Sequence, residues 1–154
     1  MSQDLKRARE IAAQTVTDIK RELDSPVIDL ANWLQAVADH LHANPHVTRV
    51  NLASGTKQLQ ISSFTFMGEP DEAAALILWH DSLIGARITA SGWPNEPENA
   101  KCTVTGRTAN GVELVVWDVV EGLGARMGFD EKSRAEEPVV PELLRELAAE
   151  QVTA

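Results

Sequence analysis

The chain has 154 residues, a single cysteine, and 14 basic against 23 acidic side chains, for a formal net charge of −9. At this length about two-thirds of the unfolded surface can be buried, so one hydrophobic core can form without disulfides or a structural metal, and a second full domain does not fit. An acidic chain without a dense basic stripe repels polyanions, which excludes sequence-independent nucleic-acid binding. The longest apolar run, residues 73–79, falls far short of the roughly 20 residues that a membrane span requires.

Residues 3–24 place Leu5, Ala8, Ala12, Val16, Ile19 and Leu23 at steps of three and four, one apolar stripe on a helix that Ser2 can cap. Lys6, Arg7, Arg9, Lys20 and Arg21 are interleaved with Asp4, Glu10, Asp18, Glu22 and Asp24, a pattern suited to ion pairs on a solvated face. Ser25 and Pro26 then restart the helix, Ser25 as cap and Pro26 at the first helical position. In this second helix Val27, Leu30, Leu34, Val37 and Leu41 form the stripe, widened by Trp33 and Ala38, and Asn44-Pro45 ends it.

After Pro45 the period changes to two. Thr48, Val50 and Leu52 read as a strand, Ser54-Gly55 as a turn, and Leu59 with Ile61 as the return strand, extended by Phe64 and Phe66. Residues 68–71 break the pattern. The segment 73–83 is rich in Ala and Leu behind Pro70, Asp71 and Glu72, which predicts a helix, although the same letters serve a buried strand. Three strands follow, over 84–93, 101–108 and 112–120. A polar loop at 94–99 separates the first two, and Ala109-Asn110-Gly111 closes the last two into a hairpin. Residues 130–141 read as a proline-broken linker, and 141–151 as a short helix with Leu143, Leu144 and Leu147 on its apolar side. The expected fold is therefore α+β in the order ααββαβββ plus a terminal helix: two helices, then an antiparallel sheet of about five strands with one inserted helix. Residues 1–129 form the expected domain and 130–154 a linker with a docking helix.

Chemistry-bearing residues are few. His40, His42 and His46 resemble a metal motif as letters. On a helix, however, residues two apart point roughly 200° away from each other, and His46 lies beyond Pro45, so imidazoles favouring a helix C-terminus are the better reading. His80, Asp81 and Ser82 bring an imidazole, a carboxylate and a hydroxyl together, but consecutive helical side chains fan out by about 100° and cannot align as a triad. Phosphate-loop, nucleophile-elbow, zinc-helix and paired-cysteine motifs are absent. Cys102 reads as a buried strand cysteine. Of the four tryptophans, Trp93 stands at a strand end before a polar loop, where an indole either closes the edge of the core, the better reading, or lines a pocket or anchors a partner.

These readings point first to a cytoplasmic protein-interaction or accessory module without catalytic chemistry or a cofactor, in contact with a protein partner or with itself, and not with nucleic acid or membrane. Trp93, Leu143, Leu144 and Leu147 are its candidate contact residues. A small hydrolase-like or ligand-binding enzyme built on His80 is the second hypothesis, and an acidic decoy of nucleic acid the third. The alanine-rich, lysine-poor composition suggests a bacterial, phage or mobile-element source.

Overall fold

The computed structural model describes residues 2–23, 26–47, 50–52, 57–61 and 71–153. It divides into two compact units, Met1–Gln35 and Ala36–Ala154. The first holds helix α1 (Ser2–Leu23) and the opening turns of α2 (Pro26–Ala43). The second holds the end of α2, strands β1 (Val50–Leu52) and β2 (Leu59–Ile61), helix α3 (Glu72–Ser82), strands β3 (Ile84–Trp93), β4 (Glu96–Arg107) and β5 (Glu113–Val120), helix α4 (Leu123–Met127), strand β6 (Glu137–Pro138) and helix α5 (Pro141–Thr153). The α+β class and the order ααββαβββ with a terminal helix agree with the sequence pattern; α4 and β6, between β5 and that helix, are additions to it. The expected turn at Ser54-Gly55, the strand extension through Phe64 and Phe66, and the cap at Ser25 lie outside the described residues.

The strands form one sheet in the order β1-β2-β5-β4-β3-β6. It is mixed, because β2 runs parallel to β5, with Leu59 opposite Val116 and Gln60 opposite Trp117. This pairing has a topological cause. α3, β3 and β4 intervene between β2 and β5, so β5 is not bound by a hairpin to run antiparallel to its neighbour. The other pairings are antiparallel.

Alternation along β3, β4 and β5 gives the sheet two distinct faces. Ile88, Ala90, Ala100, Cys102, Val104, Leu114, Val116 and Val120 are buried on one of them. α3 packs here, and α5 packs in turn on α3. Being covered from both sides explains the sequence of α3: Ala73, Ala75, Leu76, Ile77 and Trp79 are all buried, and a helix enclosed on several sides loses the polar face that marks helical period. Asp71 caps it, its side chain accepting from the Ala74 N–H at 2.8 Å.

Two connections differ from the sequence reading. The predicted loop at 94–99 is a two-residue turn, for Trp93 already pairs with Glu96 and Asn95 adopts φ +66°. Pro94 followed by a residue with positive φ fits a type II turn, where Asn substitutes for Gly. The Asn110-Gly111 hairpin forms as expected, but only Gly111 is left-handed, at φ +82°. Its N–H donates to the Thr108 carbonyl at 2.9 Å, so the connection is a turn followed by a left-handed bulge residue.

The stretch read as a linker is laid against the sheet. The Val139 N–H donates to the Ile88 carbonyl at 2.9 Å, β6 pairs with β3, and Val139 is buried. The buried line of α2 also differs from the predicted stripe. It comprises Trp33, Ala36, Val37 and His40, whereas Leu30 and Leu34 are exposed.

Candidate functional site

α2 ends at Ala43, where the Asn44 backbone and side-chain N–H groups both donate to the His40 carbonyl, at 3.0 and 2.9 Å. α3 ends at Ser82. The last turns of the two helices meet, and His40 stacks on Trp79 with ring centroids 5.5 Å apart and planes at 21°. His40 Nε2 lies 2.9 Å from Ser82 Oγ. Beside them is a cavity of about 440 Å³ whose lining includes Asp39, His40, Asn44, Ser82, Thr108 and Asn110. An imidazole, a hydroxyl and a cleft together warrant a test for nucleophilic catalysis.

The position of one proton decides that test. Ser82 Oγ also lies 2.8 Å from the Trp79 carbonyl oxygen. A carbonyl has no proton to give, so the single hydroxyl hydrogen must point at Trp79. His40 is then the donor, through Nε2–H, and Ser82 accepts from it. A serine that donates to a backbone carbonyl and accepts from histidine has not been prepared to lose its proton. Burial, with repulsion from His46 added, holds the His40 imidazole below its usual pKa. It is a neutral, buried pin between two helix ends.

The adjacent trio divides: the neighbours His80 and Asp81 pair with each other, against the expectation that consecutive helical side chains fan apart, and only Ser82 separates from them. His80 Nδ1 lies 2.9 Å from Asp81 Oδ1 on the surface, whereas Ser82 turns to His40. Asp81 also accepts from Arg145 of α5 at 2.8 Å. Burial opposes its ionisation, but the hydrogen bonds from His80 and Arg145 and the charge of Arg145 hold its carboxyl below the ordinary value. Such an exposed pair adds little stability, about 0–1 kcal/mol. His80 therefore has one ring nitrogen occupied by a carboxylate that is itself tied to α5.

Of the remaining histidines, His42 and His46 are exposed. No group of three or more potential metal ligands occurs among the described residues. The His40–Ser82 pairing was not foreseeable from sequence, since 42 residues separate the partners and neither sits in a motif.

Cys102 and Asp118 face each other in register on the covered side of the sheet. The thiol is fully buried, and burial together with the nearby Asp118 pushes its pKa up to about 12. A thiol held in that form is neither a nucleophile nor a metal ligand. Asp118 is only 3% exposed. Its Oδ1 accepts from the Val119 N–H at 2.8 Å, and the Gln60 side-chain amide lies near the carboxylate. Burial raises its pKa to about 6; the Val119 bond and the Gln60 amide pull downward, and Glu72 pushes upward.

The candidate contact residues divide. Leu144 and Leu147 are buried, and the helix that carries them packs on α3; Leu143 is half-buried. Trp93 is half-buried at the end of β3. On the same open face of the sheet Lys101 Nζ stands over the Trp117 ring, 4.6 Å from its centroid.

Among the described residues, α1 carries several exposed large apolar side chains. Its described side chains are exposed on every side of the helix. Within the stripe, Leu5 is 58%, Val16 56% and Ile19 51% exposed. The stripe is plain in the sequence; that α1 leaves it bare is not. No family model, curated protein or solved structure matches the chain.

Proposed function

We propose that the protein is a small acidic protein-interaction or accessory module with no bond-making chemistry of its own. The apolar stripe of α1 carries this reading. A 22-residue helix that repeats Leu, Ala, Val and Ile along one side and leaves them in water loses the burial that stabilises such residues, about 1.5–3 kcal/mol for each large one. Contiguous exposed apolar surface marks a binding face. The stripe replaces Leu144 and Leu147 as the leading contact surface, since those two residues are occupied in holding α5.

The hydrolase-like alternative has less support. Ser82 gives its proton to a carbonyl, His80 is engaged by Asp81, and Cys102 is buried as a thiol. Changing Leu5, Val16 and Ile19 together to Gln tests the proposal. The urea unfolding midpoint of the β3–β5 core should stay unchanged, and Ser82 should remain unlabelled by a fluorophosphonate. A loss of several kcal/mol in the triple variant would make the stripe part of the chain's own core, and rapid labelling of Ser82 would restore the enzyme reading.

A further inference from the structure

We propose that the open face of the sheet binds a small phosphate group, free or as a monoester, between Arg87 and Lys101 and over a floor of threonines. This goes beyond the interaction role proposed for α1 and does not depend on it, because every residue concerned belongs to the Ala36–Ala154 unit.

Strand alternation builds the site. Residues two apart on a strand share a face, so the side of the sheet away from α3 presents Arg87 and Thr89 from β3 and Lys101, Thr103 and Thr105 from β4. Register sets them in rows. Arg87 lies opposite Thr105, Thr89 opposite Thr103, and Thr103 in turn opposite Trp117 of β5. Lys101 stands one row further on, opposite Ser91. Its side chain leans back toward the threonine row, since its Nζ lies 4.6 Å from the centre of the Trp117 ring. Both cations therefore line one cleft of about 250 Å³, from either side of the Thr89–Thr103 row, with Gln58 and Glu136 at its walls.

The chemistry of this cleft selects its ligand. Within a chain of net charge −9, neither Arg87 nor Lys101 forms an ion pair among the described residues. Two cations match a phosphate group, which carries about −1.5 to −2 charges at pH 7. The donors also arrive from several directions: a guanidinium at one end, an ammonium at the other, and hydroxyls between them. The oxygens of a phosphate accept from all of these, whereas a carboxylate is filled by a single guanidinium fork. Glu136 opposes the phosphate and gives an acceptor to a hydroxyl elsewhere on a monoester. The cleft is smaller than the roughly 300–1,000 Å³ typical of sites for drug-sized molecules. Two cations also make no continuous track for a nucleic-acid backbone.

Titration of the full chain with inorganic phosphate and, separately, with glycerol 3-phosphate tests the proposal. Threonine methyl shifts are followed by NMR at constant ionic strength, so that general screening is held fixed. Saturable shifts at Thr89, Thr103 and Thr105 are expected. Tighter binding of glycerol 3-phosphate assigns the site to a monoester and equal binding to the free ion, and either supports the proposal. Arg87→Gln and Lys101→Gln should each weaken binding at least fivefold, and Glu136→Gln should strengthen it two- to threefold, with the urea midpoints unchanged. Arg87 and Glu136 are exposed, so those two variants decide the matter even if Lys101→Gln does not fold. Shifts that chloride reproduces, or weaker binding by Glu136→Gln, would overturn the phosphate assignment. A single-stranded oligonucleotide that binds this face more tightly than glycerol 3-phosphate would overturn the small ligand.

Discussion

Replacing Asp118 by Asn is expected to stabilise the protein at pH 8 and to lose that advantage by pH 4. The wild-type carboxyl has a folded-state pKa raised from 3.8 to about 6. Below pH 3.8 it is neutral whether the chain is folded or not, and its burial carries no ionisation cost. As the pH rises past 3.8 the unfolded chain ionises first, and stability falls until the folded carboxyl has also ionised, above about pH 6. The shift corresponds to a ceiling of about 3 kcal/mol. Part of this is offset because an amide at the Oδ2 position needs a hydrogen-bond acceptor. The net gain at pH 8 should be about 1–2 kcal/mol, read from urea unfolding at the two pH values. His40 acts in the opposite sense. Its pKa is lowered on folding, so its contribution is complete above pH 6.5 and is lost as the pH falls toward the folded value. A variant equally destabilised at both pH values would show that Asp118 acts through a hydrogen bond and not through its charge.

The largest single-site loss is expected from Gly124→Ala. A Cβ at this position would lie 2.1 Å from the Pro97 carbonyl oxygen and 2.6 Å from that of Asn99. Both obstacles are backbone, so relief requires α4 to lift from the start of β4. Such overpacking costs about 3 kcal/mol. The connection offers little slack, because the Gly122 N–H donates to Asn99 Oδ1 at 3.2 Å and fixes the entry to α4. Gly128 makes the useful comparison. It has φ +71° with nothing near its missing Cβ, so Gly128→Ala meets conformational strain alone, about 1 kcal/mol. Unfolding midpoints for the two variants separate close approach from backbone strain; equal losses would contradict the packing of α4 on β4.

How far the sequence reveals the structure depends on whether the signal is local. The period of α1, the alternation in β3 to β5 and the Asn110-Gly111 hairpin are written in neighbouring residues, and these elements form, although β4 begins at Glu96, inside the stretch that its polar residues mark as a loop. α3 is ambiguous in sequence for a physical reason: packing between the sheet and α5 removes the polar face that distinguishes helix from strand. The two-residue strand β6 has too few side chains to alternate, so a segment fixed through the Val139 and Ile88 backbones reads as a linker. The parallel pairing of β2 with β5 is a property of chain topology that no window of residues contains.

The candidate sites follow the same rule. Helical geometry alone was enough to separate His80 from Ser82. The partner that Ser82 finds instead, His40, belongs to another helix. The uncovered stripe was visible as a stripe, but a sequence that specifies an apolar helix face does not specify what covers it. Leu144 and Leu147 show the contrast, since an equally plausible stripe on α5 is used within the chain.

Amide hydrogen exchange along α1, followed as a function of protein concentration, tests the central claim most directly. Amides in β3, β4 and β5 should be protected at every concentration, because opening them requires unfolding the core. Those of α1 should exchange rapidly in dilute protein, where its apolar stripe has no partner to cover it. Protection of α1 equal to that of the sheet at the lowest concentration would mean that the stripe is already covered within a single chain, and would contradict the account.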